Sequence, residues 1–351
     1  MTNNILLQDF KFIKEKVFSD ENFNDSTFLI TGATGLIGSL IVKSILYVNA
    51  TSNANIRILA QVRDIEKAKE IFGEVKDVNL TFLKFDLLKP ISDIGLKNID
   101  FIIHTASITN SKEMVDNPVG VLLTAIESTK NLLEYMKESS NKSKMIYISS
   151  MEYYGQIIDE YNNVTEDKLG YLDMENIRSC YPESKRVCEM LCKAYFKQYN
   201  INVCNVRLAQ TFGAGVHLSD NRVFSQFAKS VLNNQDIILH THGYSEGNYC
   251  YTADAIHAIF LILLRGKSGQ SYNVSHSHSS IINMARMVAK NIANNRISVR
   301  VSIPESSISL GYAPDVKLKL NSDKLQALGW KAEVNLEDMF RRLLESWDYK
   351  G

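Results

Sequence analysis

The chain has 351 residues, 45% hydrophobic and 22% charged, with 39 Lys+Arg against 39 Asp+Glu. That is enough apolar chain for one large or two interleaved folded units, which excludes wholesale disorder. Zero net charge offers no bulk attraction for nucleic acid or an anionic membrane, and the five cysteines have the spacing of neither a disulfide framework nor a zinc site.

The N-terminal stretch MTNNILLQDFKFIKEKVFSDENF lacks the basic start and apolar run of a signal peptide and reads as a helical extension over residues 1–25. Ser26–Thr31 is a β-rich run that ends at Gly32, and Leu36–Tyr47 then has helical periodicity. Ile56–Val62 is the next strand, followed by a charged helix from Asp64 and short strands at Leu80–Leu83 and Phe101–Ile103. A long helix fills most of 112–137, Met145–Ser149 is a strand, and a helix over 182–198 leads to strand Ile201–Leu208. Alternation of this kind predicts an α/β fold, a doubly wound parallel sheet occupying 26–210. Beyond it, 211–351 is irregular, with helices at 222–233, 253–265, 281–292 and 335–347. It reads as a smaller substrate lobe partly interleaved with the first. No stretch reaches the roughly 20 apolar residues that span a bilayer, and AIHAIFLILL (255–264) reads as a buried helix. These features, with reduced thiols, predict a cytoplasmic protein without nucleic-acid or membrane partners.

TGATGLIG (31–38) sets Gly32, Gly35 and Gly38 three residues apart, directly after a strand and directly before a helix. A dinucleotide pyrophosphate needs that context: a tight turn, close backbone approach and free N–H groups at a helix N-terminus. Gly32, Thr34, Gly35, Leu36, Ile37 and Gly38 are the candidate cradle. At the end of the second strand, where an acid would grip the ribose of NAD, the sequence reads Val62-Arg63-Asp64. Arg63 suits the 2′-phosphate of NADP; a solvated Arg before an Asp64 N-cap is the alternative.

In SCYPESKRVCE (179–189), Tyr181 and Lys185 lie one helical turn apart, with Pro182 tolerated in the first turn. A nearby ammonium favours the phenolate, so such a tyrosine can take a proton from a sugar hydroxyl as hydride leaves its carbon. Cys188 and Cys192, His240 and His242, and His276 and His278 lack the partners of a metal site, and no metal is expected.

Together these motifs resemble the extended short-chain dehydrogenases of the nucleotide-sugar epimerase/dehydratase family, from about Phe28 to Trp347. RSCYPESKR (178–186), SSMEYYG (149–155) and TFGAGVHLSDNRVFSQF (211–227) are most similar to its decarboxylase and dehydratase branches. The resemblance implies that Ser150 bridges Tyr181 and the sugar oxygen, and that Glu152 is a second acid/base. It implies that Asp86, with Leu87 beside it, meets adenine, and that HTAS (104–107), with Thr105, Ala106 and Ser107, lines the NAD or NADP site. Arg222 would hold the nucleotide or phosphate end of the substrate, with Gln210 and Asn248 at other substrate positions. Relatives pair the helices at 112–137 and 182–198 across a twofold. That implies a homodimer joined through residues such as Leu132, Met136 and Leu191.

The match departs from the family at several positions. Met151 stands where dehydratases carry an Asp, and DVKLKLNSDK (315–324) offers Lys317 and Lys319 where decarboxylases use an Arg. Gln210, Gly247 and Ala125 replace an Asn, an Arg and an Asn. The expected activity is transient oxidation of a sugar hydroxyl on a nucleotide sugar other than the common UDP-hexoses. The alternatives are a net NADPH-dependent reductase making a deoxysugar or alditol, and a non-catalytic NAD(P)-sensing regulator.

Overall fold

The computed structural model describes residues 4–73, 78–139, 143–157, 163–303 and 317–348. Helix α1 (Asn4–Val17) is followed by β1 (Thr27–Thr31), α2 (Leu36–Thr51), β2 (Arg57–Val62), α3 (Ile65–Phe72), β3 (Leu80–Lys84) and β4 (Phe101–His104). Next come α4 (Ser111–Asp116), α5 (Pro118–Glu138), β5 (Lys144–Ser150), α6 (Cys180–Tyr199) and β6 (Val203–Leu208). The later part holds β7 (Gln210–Phe212), α7 (Val223–Leu232), β8 (Ile237–Leu239), β9 (Glu246–Tyr251), α8 (Thr252–Arg265) and β10 (Ser271–Val274). It ends with β11 (Ser277–Ser280), α9 (Ile281–Met287), β12 (Val299–Val301), α10 (Asp323–Gln326) and α11 (Leu336–Ser346).

Seven strands form one sheet in the order β3-β2-β1-β4-β5-β6-β10, with every pair parallel. Helices cover both faces, so all five residues of β1 and all six of β6 are buried, and their runs are continuous rather than alternating. The doubly wound α/β fold anticipated from the alternation is the one observed. The chain reverses direction across the sheet between β1 and β4, which opens a crevice at their C-terminal ends. The seventh strand, β10, comes from beyond residue 210. A three-stranded sheet β11-β9-β7 and the parallel pair β12-β8 build the smaller lobe. Helix α8 is buried from Thr252 through Leu263, which accounts for an apolar run without a polar face.

Two expected helices are corrected. The single helix over 112–137 is broken at Asn117, whose side chain caps the Gly120 N–H at 3.2 Å while Pro118 opens α5. The proline needs no hydrogen-bond donor there. The helix over 281–292 is α-helical only to Met287 and continues as a π turn over Val288–Ile292. The exposed dimer residues are corrected as well. Leu132 and Met136 are buried within the chain, because Ala125, Leu132 and Met136 pack on Leu29, Ile102 and Met145 of the sheet. The large apolar residues left open on α5 and α6 include Val119, Leu123, Val187, Met190 and Tyr199, while Leu191 is half-buried.

Helix α1 packs on α2, α8 and α11 and buries Asp9 with its apolar stripe. The Asp9 carboxylate accepts the Tyr251 hydroxyl at 2.6 Å and an Arg342 N–H at 3.0 Å. Burial pushes Asp9 up from the usual 3.8 to about 7, against the pull of those two partners. Asp254, buried under the Glu333 and Val334 N–H groups, is raised by burial to about 6. The folded chain therefore keeps protons that the unfolded chain releases. The cost of ionising Asp9 begins above its unfolded value and is complete above about 7. Stability is expected to fall as pH rises through that window, at up to about 1.4 kcal/mol per pH unit for each retained proton. Urea titrations at stepped pH should show the fall in the parent and a flatter profile in Asp9→Asn; equal slopes would refute the assignment.

Candidate active site

The loop between β1 and α2 turns on Gly32, at φ +65. A Cβ there would lie 2.7 Å from the Ala106 Cα, and one on Gly38 would lie 2.4 Å from the Gly32 carbonyl oxygen. Gly35 caps α2 without a side-chain bond, and Thr34, Leu36 and Ile37 are half-exposed beside it, so the helix N-terminus is open to an anion. These features fit a dinucleotide pyrophosphate. Thr105 Oγ1 donates to the Thr31 carbonyl at 2.7 Å, which sets Thr105, Ala106 and Ser107 against the loop. Beneath it, His104 Nδ1 meets Thr31 Oγ1 at 2.7 Å, and burial lowers the imidazole to about 3, so it stays neutral. Gln61, absent from the sequence-based list, accepts the Gly32 N–H at 3.1 Å and donates to the Phe85 carbonyl at 2.9 Å. It braces the glycine loop against the end of β3.

At the end of β2, Asp64 caps α3 through the Glu66 and Lys67 N–H groups. Its carboxylate is thereby committed to the backbone. Arg63 is exposed and makes no side-chain hydrogen bond or ion pair among the described residues. Asp86 is exposed, and its Oδ1 accepts the Leu88 N–H at 3.0 Å; Leu87 is buried next to it. A guanidinium in this position would suit the 2′-phosphate of NADP. NADP should bind at least about tenfold tighter than NAD, or about 1.4 kcal/mol. Titration calorimetry with both dinucleotides measures this, and Arg63→Ala should remove the difference. Equal affinity in the parent would refute the role of Arg63.

Strand β5 delivers Ser150 to the same crevice, and a 3₁₀ turn over Met151–Tyr154 follows, with Ser150 Oγ accepting the Glu152 N–H at 3.2 Å. Tyr181 sits in the first turn of α6, 6% exposed, with the Ser150 side chain close enough to pull its phenol down. Burial, together with the Glu152 charge, raises the phenol well above its usual value, while Arg178 and Arg222 pull the other way. Lys185 Nζ donates to the Ile148 carbonyl at 3.0 Å and lies 5.1 and 5.5 Å from the ring centroids of Tyr147 and Tyr181. Burial draws it down to about 8. The Cys180 thiol donates to the Met114 carbonyl, away from the Tyr181 phenol, within the small apolar cluster that also holds the Tyr181 ring. Glu152 is gripped through both oxygens by Arg178, at 2.7 and 3.1 Å. Arg178 stands in the quoted RSCYPESKR stretch, and only the fold shows its partner.

The substrate positions divide. Gln210 is half-buried on β7, in register with Tyr249 of β9. Arg222 is exposed at the head of α7, where Asp220 takes its guanidinium at 2.6 and 2.9 Å. Asn248 is placed differently from the expected substrate contact. It is 1% exposed, donates to the Leu318 carbonyl at 2.6 Å and accepts the Leu320 N–H at 2.9 Å. Those bonds fix the segment that presents Lys317 and Lys319 to solvent; Asp315 and Val316 lie outside the described residues. Gly247 leaves no room for an arginine, since a Cβ there would meet the Tyr249 hydroxyl at 2.7 Å. Among the described residues no group of three or more His, Cys, Asp and Glu could hold a metal.

A glycine cradle at the switch point of a parallel sheet, with serine, tyrosine and lysine converging from β5 and α6, defines a nicotinamide-dinucleotide enzyme of the short-chain dehydrogenase type. The chain belongs to the NAD dependent epimerase/dehydratase family, whose profile matches residues 28–275. It is 25% identical over 340 residues to UDP-glucuronic acid decarboxylase 1 of Danio rerio, covering 95% of this chain and 74% of that protein. It is 23% identical to dTDP-D-glucose 4,6-dehydratase of Mus musculus over 328 residues, 90% of this chain and 87% of the relative. Among solved structures, UDP-glucuronic acid 4-epimerase from Bacillus cereus, in complex with UDP-glucuronic acid and NAD, superposes with TM-score 0.75 at 21% identity. That match covers 92% of this chain and 98% of the other. DesIV, a dTDP-glucose 4,6-dehydratase from Streptomyces venezuelae, also gives 0.75, at 18% identity over 92% and 97% of the two chains.

Proposed function

We propose that this protein oxidises a hydroxyl of a nucleotide-linked sugar to a ketone, alters the neighbouring carbon, and reduces the ketone again. The bound dinucleotide supplies the hydride acceptor and, afterwards, donor. Tyr181 takes the hydroxyl proton, Ser150 holds the sugar oxygen against the phenol, and Lys185 supplies positive charge behind it. Glu152 then takes a proton from the carbon beside the ketone. The C–H electron pair moves toward the carbonyl to give an enolate, and the proton returns on either face. The observation that carries this reading is the convergence of Ser150, Glu152, Tyr181 and Lys185 at the end of β5, where Ser150 Oγ accepts the Glu152 N–H and Lys185 donates to the Ile148 carbonyl. Met151 has no proton to donate, which disfavours elimination of water. The changed side chains at Gln210, Gly247 and Ala125 support a substrate other than the common UDP-hexoses.

The test is a screen of UDP-, dTDP-, CDP- and GDP-linked sugars with mass spectrometry of the products. A product of changed configuration or lost carboxylate, formed without net cofactor consumption, supports the reading. Stoichiometric consumption of NADPH would point to the reductase instead. Absence of any product, with cofactor still bound, would point to a sensing role. We place the activity in the cytoplasm, consistent with five buried free thiols and no helix among the described residues long and apolar enough to cross a membrane.

We further propose a homodimer across α5 and α6. Val119 with Leu123, and Val187 with Met190, face outward on two helices that pack side by side. A self-complementary apolar face of this kind suits an isologous interface. Light scattering at micromolar concentration should give the mass of two chains, and Leu123→Glu with Met190→Glu should give one. A monomeric parent would end this proposal.

A further inference from the structure

Arg178 makes a two-pronged contact with Glu152 at the site, and the chemistry described above assigns it no role. It lies in a short turn over Ile177–Ser179, whose backbone is capped by Asn176 accepting the Arg178 N–H at 3.1 Å. That turn runs directly into α6, three residues before Tyr181. The guanidinium reaches across to the turn after β5 and meets both oxygens of Glu152. The pair therefore joins the two segments that carry the reacting groups. Its side chains are 23% and 32% exposed, so they border the crevice and are not sealed in the core. The other arginine near the phenol, Arg222, is committed to Asp220. Burial opposes the Arg178 charge, but Glu152 outweighs burial and raises the guanidinium further above its usual range.

We propose that Arg178 is a positioning residue that fixes Glu152 in one orientation as the base of the reaction. This rests on the reading that Glu152 takes the proton beside the ketone. A two-pronged N–H contact engages both carboxylate oxygens at once and fixes the plane of the carboxylate. The fork also removes the rotation of the Glu152 side chain, so that its free lone pairs keep one direction toward the sugar. The C–H bond breaks, its electron pair enters the enolate, and the proton goes to a Glu152 oxygen. Arg178 forms and breaks no covalent bond. Lysine would supply charge without the fork.

The experiment uses the full chain loaded with its dinucleotide, in deuterated water, with a panel of UDP-, dTDP-, CDP- and GDP-linked sugars as probes. Absorbance of the reduced nicotinamide follows the first step, and deuterium gained by the sugar follows the second. In Arg178→Gln, deuterium uptake should fall at least about tenfold more than cofactor reduction falls. Arg178→Lys should recover part of that loss. Uptake equal to the parent's in Arg178→Gln overturns the proposal. So does an equal fall in both steps together with a lowered melting temperature, which would make the pair merely structural. If Glu152→Gln exchanges at the parent rate, the base and its positioning both fail while the hydride reading stands. A parent that reduces no cofactor with any probe overturns both.

Discussion

Replacing Tyr181 with phenylalanine is expected to abolish cofactor reduction by the sugar substrate, with a loss at or beyond the roughly 10²–10⁴-fold of a single general base. The structure explains why the loss should be this large. The phenol is almost wholly buried, and burial and Glu152 together hold it neutral until positive charge is nearby. Lys185 is fixed one turn away by the Ile148 carbonyl, and its ammonium, drawn down to about 8 by burial, is the nearest cation on the same helix face. Removing the phenolic oxygen leaves only the weakly basic Ser150 hydroxyl and Glu152, whose two oxygens are held by Arg178, at this strand end. Cys180→Ser, one residue earlier, should keep nearly the parent rate, since its thiol faces the Met114 carbonyl. Single-turnover absorbance of reduced nicotinamide reads both variants. Cofactor reduction by Tyr181→Phe within about tenfold of the parent would remove Tyr181 from the chemistry.

The sheet and the cradle were legible because each rests on a local rule. Continuous apolar runs such as FLI in β1 mark buried parallel strands. The glycines of TGATGLIG sit where a side chain would collide with the Ala106 backbone or the Gly32 carbonyl. The break at Asn117 was not read, although Asn-Pro is a helix-start signal, because the apolar stripe continues through it in register. The strands of the smaller lobe were not read either. In β11, SHSS carries no apolar alternation, and it is a strand because β9 offers a paired edge. Arg178, Glu189 and Arg207 look in sequence like solvated charges on helices and strands. What distinguishes them is a partner 18 or 26 positions away in the chain, which periodicity cannot show.

Arg207 carries the largest expected effect on stability. Its side chain is 0% exposed and that of its partner Glu189 is 1% exposed. Nε and Nη2 donate to the two Glu189 oxygens at 2.9 and 2.8 Å, and Nη1 donates to the Tyr154 hydroxyl at 2.8 Å and the Glu166 carbonyl at 2.9 Å. Glu189 also accepts the Ser271 hydroxyl at 2.9 Å, and the Tyr154 hydroxyl donates to Asn273 Oδ1 at 2.6 Å. One guanidinium thus ties α6, the turn after β5, the segment near Glu166 and strand β10 behind the active site. Truncation to Met leaves Glu189 buried with its charge uncompensated, and the expected cost is about 3–5 kcal/mol. Arg207→Lys should recover little, because one ammonium cannot reach a carboxylate, a phenol and a carbonyl in these directions. Pairing Arg207→Met with Glu189→Gln should be less destabilising than Arg207→Met alone, since no lone charge then remains inside. Denaturant midpoints of the four proteins measure all of this at once. If Arg207→Lys lies within about 1 kcal/mol of the parent, the buried pair is not what holds these elements together.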